Sequence, residues 1–295
     1  MTSGRLGSGT MTAQGQGQTN RLLGYPEDAR LLIINADDFG MCHAVNAAIA
    51  DALARGAVSS TSLMVTCPWA PHAMRFLRNH PEIPFAVHLT LTCDFPDYRW
   101  GPAAPWDRVP TLVDANGHFR LLDERDALLA GARLDEIELE FRAQIETVLR
   151  AGMQPSHLDW HCLADGGRED IFALTAALAT SYGLALRVHQ REHAGVIQRK
   201  GLPVVDHPVL DSYRLAPEEK RARYIQLLRK LPAGLSEWAV HPSLGDAEAQ
   251  ALEPGSWQVR RADYDFFLSP SAQGVIEEER IIVLDYRALQ AVWAG

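Results

Sequence analysis

The sequence has few cysteines and no long apolar run. Its four cysteines, Cys42, Cys67, Cys93 and Cys162, are scattered and form no C-x-x-C pair, so neither a disulfide framework nor a structural zinc knuckle is expected. No stretch approaches the roughly 18 consecutive apolar residues of a membrane span, and the first residues contain no apolar signal core. We therefore expect a soluble protein of the reducing cytoplasm with no membrane partner.

Positive charge is also in short supply. The 28 Lys and Arg residues are outnumbered by 37 Asp and Glu residues, which gives a formal net charge of -9. Such a chain repels phosphate backbones, so nucleic acid is not expected as a partner. The Gly-, Ser-, Thr- and Gln-rich start has almost no large apolar side chains and cannot offset its own ordering entropy. We predict a disordered leader over residues 1–25 and a single catalytic domain over residues 26–295.

Short apolar runs and helical periodicities alternate along the rest of the chain. The run Leu31–Ile34 predicts a strand, and Val45, Ile49 and Leu53 then recur at helical spacing until Gly56. Six further strands are expected near residues 58–66, 85–91, 156–159, 184–188, 237–240 and 280–284. Apolar runs without strict alternation are typical of a parallel sheet buried on both faces. We therefore predict an α/β fold, an incomplete or distorted (β/α) barrel with about seven parallel strands, rather than an open doubly wound sheet.

Two longer segments lack periodicity. Residues 93–122 contain four prolines and an Asn116-Gly117 turn signal, which predicts a loop over the active face. Residues 189–216 are expected to form an irregular insertion.

Polar side chains that are costly to bury occur where the predicted strands end. They are Asp37 and Asp38 after the first strand, His88 in the third, His161 after the fourth, Arg187 in the fifth and His241 at the end of the sixth. The carboxyl ends of the strands form the active-site face of β/α barrels, so we expect these groups to converge. Taken singly, each has an ordinary explanation, since Asp pairs cap turns and a lone strand histidine is usually a hydrogen-bonded core residue. A buried Arg187 needs a carboxylate partner.

A denser group of polar residues lies in the segment His157-Leu-Asp-Trp-His161. A short strand that offers His, Asp and His within five residues is costly unless these groups bind something. Alternate strand residues share a face, so His157, Asp159 and His161 could point the same way. The alternative is a polar strand end packed by Trp160.

One carboxylate and two imidazoles with open coordination positions make a workable site for a divalent ion. Such an ion polarises a carbonyl and lowers the pKa of bound water. A remaining Asp could then act as a base, and an additional His could protonate the leaving group. This set of donors is compatible with several metals.

At these residues the sequence resembles the YdjC/ChbG carbohydrate deacetylases, which are related to the NodB-like polysaccharide deacetylases. The resemblance covers about residues 30–290. It is carried by Asn35-Ala-Asp-Asp-Phe-Gly40, Val87-His-Leu-Thr-Leu91, His157-Leu-Asp-Trp-His161, Trp238-Ala-Val-His-Pro242 and Leu284-Asp-Tyr-Arg287. The resemblance implies hydrolysis of the acetamido group of an N-acetylated mono- or oligosaccharide. It also implies a Mg²⁺ or Zn²⁺ cofactor and a homodimer.

The resemblance also implies a role for each candidate residue. It implies that Asp38, His88 and His161 hold the metal, that Asp37 is the general base, that His241 is the general acid, and that Arg187 orients Asp37. A neighbouring cation such as Arg187 favours the ionised carboxylate. Substrate contacts are expected from Trp160, His157 and Asp159.

The sequence departs from the family pattern at two positions of this segment. Trp160 replaces a small residue, and Leu163 replaces a third histidine, which points to a less polar pocket. Three other functions remain open: a sugar-binding or regulatory barrel without turnover, hydrolysis of a non-sugar amide or ester, and a non-haem iron oxygenase. The last follows from the order of His157, Asp159, His207 and Arg214, but that class has an all-β scaffold.

Overall fold

The computed structural model describes residues 18–295, apart from the side chain of Arg214. The strands are β1 (Arg30–Phe39), β2 (Ser60–Leu63), β3 (Phe85–Leu89), β4 (Thr92–Cys93), β5 (Arg120–Leu121), β6 (His157–Trp160), β7 (Ala185–Leu186), β8 (Leu210–Asp211), β9 (Gly234–Val240) and β10 (Ile282–Leu284). The helices are α1 (Gln18–Leu22), α2 (His43–Ala54), α3 (Ala70–Asn79), α4 (Arg125–Gly131), α5 (Leu134–Arg150), α6 (Glu169–Tyr182), α7 (Arg191–Gln198), α8 (Pro217–Arg229), α9 (Ala247–Leu252), α10 (Trp257–Phe267), α11 (Pro270–Glu278) and α12 (Tyr286–Trp293). Among these residues, no helix combines the length and apolar character needed to cross a membrane.

The centre of the fold is a curled sheet of parallel strands. Seven strands follow the order β7-β6-β3-β2-β1-β9-β8, and β10 pairs with the start of β1 beside that path. All of these pairs are parallel. In the described part of the chain β7 and β8 end the path without pairing to each other, so the barrel is open. The predicted incomplete (β/α) barrel is confirmed.

The helices cover the sheet with apolar faces that the sequence encodes. In α5, Ile137, Phe141 and Ile145 recur every four residues and are fully buried, while the helix packs on β3 and α6. Acidic residues in its first turn and Arg150 in its last turn complement the helix dipole. Truncation of one such core side chain to alanine costs about 2–5 kcal/mol.

The predicted leader is partly wrong. Residues 1–17 lie outside the described residues, but residues 18–22 form α1, and Thr19 and Asn20 are fully buried. Thr19 donates a hydrogen bond to the carbonyl of Val204, and Asn20 donates to the carbonyls of Pro26 and Ala29. Hydrogen bonds of polar side chains to the backbone, which a count of apolar residues does not register, order this segment.

The loops and the last strand also differ from expectation. The predicted loop at 93–122 contains the short pair β4 and β5, and the insertion at 189–216 contains α7 and β8. Helices α9 and α10 follow β9, in a segment for which no helix or strand was predicted. The strand expected to be buried near 280–284 is β10, in which Ile282 and Val283 are 38% and 41% exposed.

Candidate active site

The polar side chains predicted at the strand ends converge on one cavity. It has a volume of about 630 Å³ and lies at the carboxyl ends of β1, β3, β6 and β9. Its lining includes Asp37, Asp38, His88, His161, Arg187 and His241. All six therefore lie at the edge where β/α barrels build their sites, as expected from the sequence.

The end of β1 brings two adjacent carboxylates into the cavity. Asp38 has a φ of 74°, in the left-handed region that a residue with a Cβ rarely adopts. The pairing of β1 with β2 also shifts register between Ala36 and Phe39. Because this irregularity interrupts the alternation of the strand, Asp37 and Asp38 can both line the cavity. Backbone strain of this kind clusters at functional sites.

The donor atoms of Asp38, His88 and His161 lie close enough to share an ion. Asp38 Oδ1 is 3.4 Å from His88 Nε2 and 3.2 Å from His161 Nδ1. Donor atoms bound to one ion at about 2.0–2.2 Å are separated by roughly 3 Å or more, so these distances fit a common divalent ion. All three side chains are buried.

Each histidine of this group has a carboxylate on its other ring nitrogen. Asp159 Oδ1 lies 2.7 Å from His88 Nδ1, and Asp94 Oδ1 lies 2.8 Å from His161 Nε2. Carboxylates placed in this way orient metal-binding imidazoles and raise their basicity. Burial opposes a charge on His88, but Asp159 and Asp38 raise its pKa to about 9. The surroundings of His88 therefore stabilise positive charge, which a proton or a metal ion could supply.

Asp37 is held by the buried Arg187. Arg187 Nη1 and Nη2 donate to Asp37 Oδ2 and Oδ1 over 2.8 and 2.9 Å, while Arg187 Nε donates to Glu237 over 2.7 Å. Burial raises the pKa of Asp37, but the positive charges of Arg187 and His88 more than offset this, so the pKa lies below its ordinary value. Asp37 is thus an oriented, ionised carboxylate beside the cluster of Asp38, His88 and His161.

His241 lies beside Asp37 in the lining of the cavity. Its Nε2 is 3.9 Å from Asp37 Oδ2, and its Nδ1 is 3.2 Å from the hydroxyl of Ser212. The side chain is 16% exposed, so it can exchange protons with a molecule in the cavity. This placement suits a proton donor.

The comparisons with known proteins agree with this geometry. The family model described as YdjC-like protein matches residues 31–278. The chain belongs to the YdjC-like family. A carbohydrate deacetylase from Geobacillus stearothermophilus is 32% identical over 263 residues, which are 88% of this chain and 97% of that protein. A chitooligosaccharide deacetylase from Yersinia pestis is 33% identical over 180 residues, which are 61% of this chain and 65% of that protein.

A solved structure has the same fold as this YdjC-like protein. It is a crystal structure from Enterococcus faecalis whose description assigns it provisionally to cellobiose-phosphate cleavage. The two chains are 28% identical with a TM-score of 0.75, over 88% of this chain and 99% of the other. The open barrel is therefore a property that this chain shares with a protein of known structure.

Two of the residues expected to contact substrate do not line the cavity of this YdjC-like protein. Asp159 is fully buried between His88 and Arg187. His157 is also fully buried, and its ring stacks on Tyr286 at 3.5 Å, where burial lowers its pKa to about 3. Both expectations are corrected, because a shared strand face does not give the depth of each residue in the barrel.

Trp160 does line the cavity, but it is only 3% exposed. Its indole Nε1 donates to Thr175 over 3.3 Å, which fixes the ring in the wall. Leu163 is buried and is absent from the cavity lining in the described part of the chain. Of the two departures from the family pattern, Trp160 is the one placed to affect a ligand.

Sequence reasoning missed Arg260, which holds the second oxygen of Asp38. Arg260 lies on α10, where its Nη1 donates to Asp38 Oδ2 over 2.7 Å and its Nε donates to Glu253 over 2.6 Å. Burial opposes ionisation of Asp38, but Arg260 and the two histidines keep its pKa well below the ordinary value. Asp94 was also missed, since it lies in the segment predicted as a loop.

The iron-oxygenase alternative is contradicted by the fold. The scaffold is a parallel α/β sheet rather than an all-β jelly roll. His157 packs on Tyr286 away from the cavity lining, and His207 Nε2 lies 2.8 Å from the carbonyl of Ala233. His157, Asp159 and His207 do not form a common site, and the side chain of Arg214 lies outside the described residues.

Proposed function

We propose that this YdjC-like protein is a metal-dependent hydrolase that removes the acetyl group from an N-acetylated mono- or oligosaccharide. The proposal rests on one observation: the possible metal-ligand atoms of Asp38, His88 and His161 lie next to the oriented carboxylate of Asp37. The names of the relatives, carbohydrate deacetylase and chitooligosaccharide deacetylase, support a sugar substrate.

In this proposal Asp38, His88 and His161 would hold Mg²⁺ or Zn²⁺. When bound, such an ion would polarise the acetyl carbonyl and lower the pKa of a water molecule. Asp94 and Asp159 keep the two imidazoles oriented toward Asp38. Arg260 occupies Asp38 Oδ2 and leaves Oδ1 facing the histidines.

Asp37 and His241 would handle the protons. Asp37 is ionised and would accept a proton from the attacking water, while Arg187 fixes the direction of the carboxylate. His241 Nε2 would donate a proton to the amine nitrogen that leaves as the amide bond breaks. The 3.9 Å between His241 Nε2 and Asp37 Oδ2 supports this division of roles, because an acceptor and a donor this close could both reach one reacting group.

The test of the proposed function is acetate release from a panel of substrates. The panel contains N-acetylglucosamine, chitooligosaccharides, an O-acetylated sugar and a non-sugar acetamide, assayed with added Mg²⁺ or Zn²⁺. We expect N-acetylated sugars to give the highest kcat/KM. Preferential hydrolysis of the ester or the non-sugar amide would overturn the sugar assignment. Binding of sugars without any acetate release would instead identify a non-catalytic barrel.

A further inference from the structure

A buried chain of hydrogen bonds leads from Asp263 through Ser212 to His241. Asp263 lies on α10, and Ser212 lies in a single helical turn directly after β8. Both side chains are fully buried. We propose that Ser212 and Asp263 are positioning residues that keep a proton on Nδ1 of His241, so that Nε2 is the atom that exchanges protons with substrate. This inference rests on the proposed function, in which His241 is the proton donor.

The carboxylate of Asp263 is surrounded by donors. Its Oδ1 accepts from Lys220 Nζ over 2.7 Å and from the hydroxyl of Tyr224 over 2.5 Å. Its Oδ2 accepts from the backbone N–H of His241 over 3.0 Å and from the hydroxyl of Ser212 over 2.6 Å. Lys220 carries an ammonium group that can only donate. A buried carboxylate with four donors and a paired cation acts as an acceptor alone.

The single proton of the Ser212 hydroxyl is therefore committed to Asp263. A serine hydroxyl has one O–H and can accept further hydrogen bonds on its oxygen. Its contact with His241 Nδ1, at 3.2 Å, must then have the imidazole as donor. This direction of hydrogen bonding selects the tautomer of neutral His241 that carries its proton on Nδ1.

The consequence appears at the opposite nitrogen of the ring. Neutral His241 presents the lone pair of Nε2, which lies 3.9 Å from Asp37 Oδ2, and protonated His241 presents an Nε2–H. In the other tautomer the hydroxyl of Ser212 would have to donate to Nδ1, and Asp263 would lose one of its buried donors. The chain thus restricts proton uptake and release to the nitrogen that faces the cavity.

The first test is the tautomer of His241 in the full chain labelled with ¹⁵N-histidine. Long-range ¹H–¹⁵N spectra, recorded at a pH where this ring is neutral, distinguish Nδ1–H from Nε2–H. The resonance of His241 is the one that disappears in His241→Gln. We expect Nδ1–H in the wild type. Observation of Nε2–H in the wild type would overturn the proposal, and this measurement needs no substituted serine.

The second test compares Ser212→Ala with Ser212→Thr, which keeps a hydroxyl. We expect Ser212→Ala to populate Nε2–H and to lower kcat about 10- to 100-fold with a small change in KM, the scale of one hydrogen bond to a charged group. Ser212→Thr should restore Nδ1–H and most of kcat. The control Ser181→Ala removes the hydroxyl of an exposed residue of α6, which donates to the carbonyl of Leu178, and should change neither property. Thermal unfolding verifies that each variant is folded.

The tautomer readout separates this inference from the proposed function. If Ser212→Ala keeps the wild-type tautomer, the role of Ser212 is refuted even when its activity falls. If the wild type releases no acetate from any substrate, the proposed deacetylase function fails, whereas the spectra still decide whether Ser212 and Asp263 set the tautomer.

Discussion

Arg187 and Asp37 form a two-point ion pair in which Nη1 lies 2.8 Å from Oδ2 and Nη2 lies 2.9 Å from Oδ1. The pair is buried, and Arg187 is also bound by Glu237 and Asp159. A guanidinium fixed on several sides leaves the Asp37 carboxylate little freedom to rotate. Asp37 is therefore an oriented candidate for a base in the cavity.

Substitution of Asp37 by asparagine should remove the base and keep the metal ligands. We expect Asp37→Asn to lower kcat by about 10²–10⁴-fold, the scale for loss of a general base. Metal content per chain should match the wild type. Acetate release and elemental analysis measure the two properties, with the exposed Asp107→Asn as the control. Wild-type turnover by Asp37→Asn would remove Asp37 from the mechanism.

The carboxylates behind the histidines should control metal affinity. Asp159→Asn weakens the acceptor on His88 Nδ1, and Asp94→Asn weakens the acceptor on His161 Nε2. Each substitution should lower the affinity for Mg²⁺ or Zn²⁺ about 10- to 100-fold, as is typical of partners of metal-binding histidines. Competition with a chelator of known affinity measures the change. Unchanged affinity in both variants would argue against a metal at His88 and His161.

Two neighbouring arginines of α10 provide a matched test of stability. Arg260→Met leaves Asp38 and Glu253 buried without their cation, so the free energy of unfolding should fall by about 3–5 kcal/mol. Arg261 is 44% exposed and pairs with Asp265, so Arg261→Met should change it by no more than about 0.5 kcal/mol. Urea denaturation compares the variants. Equal losses of unfolding free energy would show that the buried pair of Arg260 and Asp38 contributes no more to stability than the exposed pair of Arg261 and Asp265.

Glu140 predicts that stability depends on pH. Burial raises its pKa to about 7, although Ala103, Ala104 and Gln144 donate to the carboxylate. Because the pKa of Glu140 is raised in the folded state, its contribution to the free energy of unfolding is complete below the ordinary pKa near 4.5. This contribution is lost as the pH rises through about 7. The difference between the folded and the ordinary pKa of Glu140 corresponds to roughly 3 kcal/mol of stability.

The measurement is urea denaturation between pH 4.5 and 8 for the wild type and Glu140→Gln. Loss of stability across this window should be smaller in the variant, which cannot titrate at residue 140. Identical pH profiles for the two proteins would show that Glu140 is not the group responsible.

Trp160 should influence which substrate is preferred. Its ring forms part of the cavity wall, so we expect N-acetylglucosamine and its aryl or alkyl glycosides to be better substrates than chitotriose. Trp160→Ser should shift the ratio of kcat/KM values toward chitotriose. If chitotriose is the best substrate of the wild type and the substitution leaves the ratio unchanged, the effect of Trp160 on the pocket is disproved while the deacetylase assignment stands.

Sequence reasoning succeeded where a polar residue interrupts an apolar strand. Burial of His88 or Arg187 in an apolar strand is costly whatever the strand packs against. These residues can therefore be recognised as unusual from the local sequence alone. The expected carboxylate partners of Arg187 are present as Asp37, Glu237 and Asp159. The position of these residues along parallel strands was enough to predict one cavity.

The same reasoning failed where burial results from packing between distant elements. Arg260 and Asp263 lie on a helix where charged residues are ordinary, and their burial results from contacts with residues on other elements, such as Asp38 and Ser212. Alternation within β6 likewise could not separate His157 from His161, because it gives the face of a strand and not the distance to its end.

We propose that acetate release depends on an ion held by Asp38, His88 and His161. The most direct measurement is acetate release from N-acetylglucosamine and chitooligosaccharides by the chelator-treated chain before and after addition of Mg²⁺ or Zn²⁺, with bound metal counted in the same samples. Turnover should be lost on chelation and should return as about one ion binds per chain. Full turnover by a chain shown to contain no metal would contradict it.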